Sequence, residues 1–371
     1  MKLKIPQKAL LRGLDRVIGA VERRNTIPIL ANVHIKADAS GLHLKTSDLD
    51  IEVTAFVEAE VKTEGETTVQ AHMLRDIVKR LRDDGEVSME LNGKKERIRI
   101  ITGRSNFELA VLGAKDFPSM NAGEFEVEFQ IEPKTLKDLF EKTKHSISTE
   151  TTRYYLNGTF LHTLYSGGIA VLRAVSTDGH RLARTEVPAP EGCEKMPAVI
   201  VPTKTSAEVS KLLTSAVTPV TVAVSSAKIR FTIEGTAVTS KLIDGIFPDY
   251  QRLVPEKPKL TAKVEQADLQ AAIARVSVLS SDKARAVKFA LNEGTLHLSV
   301  RQDDGQGAEE IDAEFNGKEF ETGFNSRYIL DILDTLDGDA TVIGLTEPSA
   351  PATFRDRDDE STLHLCMPMR A

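Results

Sequence analysis

Only two cysteines, Cys193 and Cys366, occur in 371 residues, far apart and outside any CxxC pair. That scarcity excludes a disulfide framework and a zinc ribbon, and neither a metal nor a cofactor is expected. No apolar run approaches the ~20 residues that a membrane-spanning helix requires. The opening residues, MKLKIPQKAL, lack the apolar core and small-residue cleavage site of a secretory leader, which predicts a cytoplasmic protein with no membrane partner. Low-complexity tracts are missing too, and 41% hydrophobic with 28% charged residues is the balance of a folded globular chain. Helix-turn-helix, zinc-finger and aromatic base-stacking motifs are absent, so base reading is not expected. The net charge of −7 opposes binding to phosphates unless the charges are segregated.

What is present is a repeat. IPQKALLRGLDRV begins at residue 5, IEPKTLKDLFEKT at 131 and VEQADLQAAIARV at 264. A second set begins at 69 (VQAHMLRDIVKRL), 201 (VPTKTSAEVSKLL) and 324 (FNSRYILDILDTL), in the same order and at similar spacing. Each segment is a short extended start followed by apolar residues at helical steps, as in Leu10, Leu14, Val17 and Val21. Between them lie alternating strand patterns such as residues 31–57, 158–179 and 287–300. The pattern predicts an α+β chain of three repeated domains, each an antiparallel sheet plus two helices, over residues 1–121, 128–252 and 258–371.

Charge is distributed unevenly over these segments. Residues 4–24 hold six basic and two acidic side chains, and residues 69–82 four and one. Lys8, Arg12 and Arg16 fall on one helix face, and Arg75, Lys79 and Arg82 gather away from Met73, Ile77, Val78 and Leu81. The third copy does not share the trend: residues 324–337 carry one basic and three acidic groups. Basic helices in an acidic chain suit a partner lined with phosphates on one side, held through its backbone without regard to sequence. The segment VSTDGHRLAR (175–184) sets Asp178 beside His180, as a general base and its orienting acid would stand. No nucleophile, phosphate loop or metal motif accompanies the pair, and no catalytic residue is assigned; the chain is expected not to be an enzyme.

TIPILAN (26–32), RYYLNG (153–158), TDGHRLA (177–183), SKLIDGIFPDY (240–250) and MPMR (367–370) together resemble the bacterial DNA polymerase III beta subunit, the replicative sliding clamp, over the whole chain. The resemblance implies the DNA clamp fold. In it a homodimer joins head to tail into a ring with helices inside and sheets outside, and the ring encircles double-stranded DNA. It further implies a processivity factor that tethers the replicative polymerase alpha subunit, the clamp loader and other clamp-binding-motif proteins at replication forks. A peptide-binding scaffold that encircles nothing is the alternative.

The resemblance also implies sites. A partner-binding groove would be formed by Leu156, Thr177, Gly179, His180, Arg181, Leu182, Pro248, Arg252 and Leu253. Asn325, Tyr328, Met367, Pro368, Met369 and Arg370 would complete it, with Ala371 at the end where a bulkier apolar residue often stands. Methionine repacks around different ligands, while leucine, proline and tyrosine offer dry contact area; Leu156, Leu182 and Leu253 would equally suit an ordinary core. For DNA the resemblance implies Arg24, Tyr154 and Tyr155, with packing beneath the sheet as the other reading of Tyr155, and Glu150 is an unhelpful acid nearby. Helix faces add Lys8, Arg12, Arg75, Lys79 and Lys204. Ring closure would use Phe107 and Arg104 of one chain against Val278, Leu279, Glu309 and Glu310 of the next, although Val278 and Leu279 also fit a helix core.

Overall fold

The computed structural model describes all residues except 24–25, 83–84, 93–95, 121–122, 256, 281–285, 304 and 371. Among the described residues six α-helices form: α1 (Gln7–Val17), α2 (Ala71–Arg80), α3 (Pro133–Glu141), α4 (Thr203–Leu213), α5 (Gln266–Val276) and α6 (Ser326–Leu333). They fall on the six repeated segments, two per copy. Each follows a strand almost without a loop, because the last strand residue keeps extended dihedrals while its carbonyl opens the helix. Pro6 does this before α1, Glu265 before α5 and Asn325 before α6, where the Asn325 carboxamide oxygen also accepts from Arg327 N at 3.0 Å.

Leu10, Leu14 and Val17 are buried on α1, with Lys8 and Arg12 outward, as the period predicts. Burial of such a leucine contributes roughly 1.5–3 kcal/mol. Gly13 lets the helix lie close on the sheet: a Cβ there would stand 2.4 Å from Val57 Cγ2. On α2 the inward residues are Leu74 and Val78, whereas Met73, expected on the apolar side, is 48% exposed.

The chain divides into two compact units. The first, Met1–Lys134 with Glu191–Pro197 and Lys204–Leu242, is built on a thirteen-stranded sheet. Within it Thr236–Lys241, from the second copy, runs antiparallel to Ile51–Val57, from the first, in a register from Thr236↔Ala55 to Ser240↔Ile51. The second unit, Thr135–Pro190 with Ala198–Thr203 and Ile243–Ala371, contains a nine-stranded and a four-stranded sheet. There Arg181–Pro188 pairs with the last strand, Thr362–Cys366, from Arg181↔Cys366 to Thr185↔Thr362. The units therefore follow sheet continuity, each joining a whole terminal copy to part of the middle one. In the second unit α5 and α6 pack over Phe289, Phe324 and Phe354, whose rings meet edge to face at 5.2 and 5.7 Å.

Candidate partner groove and nucleic-acid interface

The turn that resembled a catalytic loop is occupied with holding itself. Asp178 Oδ1 accepts from the backbone N–H groups of His180 and Arg181, both at 2.9 Å, and its Oδ2 accepts from Arg181 Nε at 3.1 Å. Thr177 Oγ1 donates to the Arg181 carbonyl at 2.7 Å and accepts from Gly179 N, which sits at φ +91°, a conformation glycine adopts without strain. Asp178 thus fixes the turn and does not orient the His180 ring. Arg181 reaches on to Asp331 at 2.7 Å and lies 4.3 Å from the centroid of Tyr328, with His180 stacked on the same ring at 6.5 Å.

The chain end docks on this turn. Met367 N donates to the His180 carbonyl and Met369 N to the Gly323 carbonyl, each at 2.8 Å, which holds both exposed methionine side chains in place. Beneath lies a buried cluster of Leu156, Val175, Leu182, Ile200, Phe247, Tyr250 and Leu365. Leu156 and Leu182 therefore belong to the core that floors the site, while Leu253 is 53% exposed at its wall and Arg252 pairs outward with Asp249 at 2.7 Å. Beside the turn opens a cleft of about 460 Å³ lined by Thr149, Glu150, His180, Asn325, Tyr328 and Met369, among others. Burial pushes the adjoining Cys366 thiol up to about 12, so it is an inert packing group at neutral pH.

Sequence reasoning missed the polar layer under this wall. The Tyr250 hydroxyl meets His162 Nε2 and Arg173 Nη1, each at 2.9 Å, and Arg173 is only 4% exposed. A charged residue inside a strand pattern, VLRAV, was the one available signal.

The expected DNA-contacting cations separate into two groups. Lys8, Arg12 and Lys79 are exposed and form no ion pair with described residues. Arg75 is tied to Asp15 at 2.7 Å, Arg16 to Glu234 at 3.3 Å, and Lys204 to both Asp48 and Glu22. Arg75 and Lys204, expected at DNA from their helix faces, thus carry carboxylate partners that lie far away in sequence and that no helical period reveals. Tyr154 is exposed and meets half-buried Tyr155 edge-on at 5.9 Å. Glu150 is neutralised by Arg153 through two bonds of 2.9 and 3.0 Å. Arg24 lies outside the described residues.

The residues expected at the ring seam lie on both units. In the first, Phe107, Met73, Ile77, Arg80, Arg82 and Arg104 are among those lining a cleft of about 1390 Å³. Among the described residues only the far end of Ser105–Leu112, at Val111 and Leu112, pairs with Gly65–Gln70, leaving that flank of Ser105–Ala110 without a strand partner there. In the second, Val278 is 81% exposed on the turn after α5 and does not join a helix core. Leu279 covers Gly307 so closely that a Cβ there would stand 2.8 Å from its Cδ1. Gly305–Asp312 is an edge strand, with Glu310 exposed and Glu309 held by Arg275 Nε at 2.9 Å.

Three sheet-rich copies with paired helices and a docked terminal strand define a sliding-clamp fold. The match to known proteins agrees in every segment: residues 1–121, 130–249 and 251–370 match the N-terminal, central and C-terminal domains of the DNA polymerase III beta subunit. The chain belongs to that family. It is 42% identical over 371 residues to the beta sliding clamp of Caulobacter vibrioides and 36% identical over 372 residues to that of Escherichia coli, with complete coverage of both chains in each case. Among solved structures it superposes on Caulobacter crescentus pol III beta at a TM-score of 0.96 and 42% identity, covering 100% of both chains. A Bartonella birtlesii sliding clamp bound to griselimycin matches at 0.96 and 40% identity, again over 100% of both chains. The family does not favour a scaffold that leaves DNA alone.

Proposed function

We propose that two copies of this chain close head to tail around duplex DNA and hold the replicative polymerase alpha subunit, the clamp loader and other clamp-binding-motif proteins at the replication fork, in the cytoplasm and without catalysis. The three modules would be residues 1–121, 128–252 and 258–371. The observation that carries the reading is a pair of open strand flanks, at Ser105–Ala110 and Gly305–Asp312. An open flank is a template for pairing unless it is covered. Beside one stand Phe107 and Met73 within an Arg80, Arg82 and Arg104 rim; beside the other stand Val278, Leu279 and Glu310. Apolar anchors inside opposite charges suit a heterologous interface, which forms a ring when its rotation closes.

Within such a ring the unpaired Lys8, Arg12 and Lys79 would touch phosphates, and Tyr154 would stack on an unpaired base near a primer junction. Arg24 and Tyr155 are secondary candidates. The groove of Leu182, His180, Arg181, Leu253, Tyr328 and Met369, with its neighbours, would take a short apolar segment of each partner. The test is retention on circular DNA. The protein loaded on a nicked circle should stay bound and leave when the circle is linearised, and Val278→Asp should prevent loading; equal retention on both forms refutes encirclement.

A further inference from the structure

The nine-stranded sheet presents one continuous row of side chains beneath the groove wall. Strand register puts Thr177 opposite Leu182 and Leu182 opposite Leu365, then Phe160 opposite Val175 and Val175 opposite Arg184, then His162 opposite Arg173 and Arg173 opposite Glu186. Alternate residues of a strand share a face, so floor and polar layer are neighbours on one surface. Across it runs the segment that carries the wall residues Pro248, Arg252 and Leu253. That segment is fastened at two points, Phe247 and Tyr250, both buried.

The fastening is a closed aromatic circuit. Phe247 stacks on Phe160 at 4.7 Å and 5°, and Phe160 stacks on His162 at 4.6 Å. His162 meets Tyr250 at 5.8 Å, and Tyr250 returns to Phe247 at 6.5 Å in an edge-on contact. Polar closure is supplied by the Tyr250 hydroxyl. Burial and the Arg173 charge push His162 down to about 4, so the ring is neutral, and its Nε2 shares a 2.9 Å hydrogen bond with the phenolic hydroxyl. The phenol oxygen accepts in turn from Arg173 Nη1, and Arg173 Nε donates to Glu186 at 2.6 Å. Ser166 Oγ donates to the other Glu186 oxygen at 3.0 Å. Such a layer specifies one arrangement because any slip leaves a buried polar group unpaired.

We propose that Tyr250 is a positioning residue for partner capture: its hydroxyl, held between His162 and Arg173, fixes the Pro248–Leu253 wall at the height the ligand requires. This rests on the groove reading above. The wall is preorganised, so its ordering cost is met before the ligand arrives.

The test measures binding of the replicative polymerase alpha subunit to the intact clamp by surface plasmon resonance. Tyr250→Phe keeps the ring and removes the hydroxyl; it should weaken Kd about tenfold, chiefly through faster dissociation, with dimer mass and DNA retention unchanged. Leu253→Ala should weaken binding by itself, and adding Tyr250→Phe to it should cost less than about twofold more, since the wall is then already lost. His162→Phe, which keeps the stack and removes the hydroxyl's partner, should reproduce that coupling and serves if Tyr250→Phe folds poorly. A Tyr250→Phe affinity within about twofold of the parent overturns the proposal, as does an undiminished loss in the Leu253→Ala background. Absence of binding by the unaltered clamp removes the groove reading itself, and the inference with it.

Discussion

Mild acid should loosen the second unit, and the size of the effect follows from three histidines. His145 and His364 face each other with ring centroids 5.1 Å apart. Neither His145 nitrogen nor His364 Nδ1 has a hydrogen-bond partner among the described residues, and His364 Nε2 meets only Thr335 Oγ1 at 3.1 Å. Burial, then Arg181 and Lys144, push His145 down to about 3; burial, then His145 and Lys142, push His364 well below the usual range. His162 is held at about 4 by burial and Arg173. All three are neutral in the fold, whereas in the unfolded chain each takes a proton near pH 6.5. Their stability contribution is complete above that value and is lost as pH falls toward the folded pKa values. Between about pH 7.5 and 5.5 the loss is roughly 1.4 kcal/mol per histidine for any folded pKa well below 5.5, or about 4 kcal/mol for the three. That is a large share of the ~5–15 kcal/mol of a typical domain. The assay is built in: the chain has no tryptophan, and its five tyrosines, at 154, 155, 165, 250 and 328, all lie in the second unit. Urea unfolding followed by tyrosine fluorescence should show the full slope, and a His145→Phe, His364→Asn double variant about one third of it. A slope unchanged in that variant refutes the assignment.

Two further outcomes check other parts of the structure. Lys8→Ala with Arg12→Ala should lower the salt slope of DNA binding by about 1.8, at ~0.9 per phosphate contact, whereas Arg75→Ala, already paired with Asp15, should change it little in filter-binding titrations. Gly13→Ala should destabilise the first unit by about 1–3 kcal/mol in thermal melts, because its methyl would meet Val57 Cγ2 at 2.4 Å and helix propensity cannot offset the overlap.

The helices were the most legible part of the sequence, since period and repeat fall on the same residues and Leu10, Leu14 and Val17 lie where their spacing puts them. The sheet joins were not legible: nothing in TAVTSK announces that it pairs with IEVTA from another copy, because alternation tells which face is buried and not which distant strand lies alongside. At the groove, Leu182 and Tyr328 were named through resemblance, but the division of labour between floor and wall was not. Leu156 and Leu253 have the same side chain, and only burial separates them. The charged stripes are silent on pairing for a similar reason. Helical spacing shows which way Arg75 points, and Asp15, sixty positions away, decides whether it is available.

The strands that cross from one copy to the next have a practical meaning for anyone dissecting this protein. Cutting after residue 121 to isolate the leading third would strip Ile51–Val57 of its neighbour and leave its backbone amides bare along one side. A trailing third would lose the cover on Thr362–Cys366 in the same way. Fragments of this kind are candidates for clumping in the test tube, so the repeated modules cannot be handled one at a time.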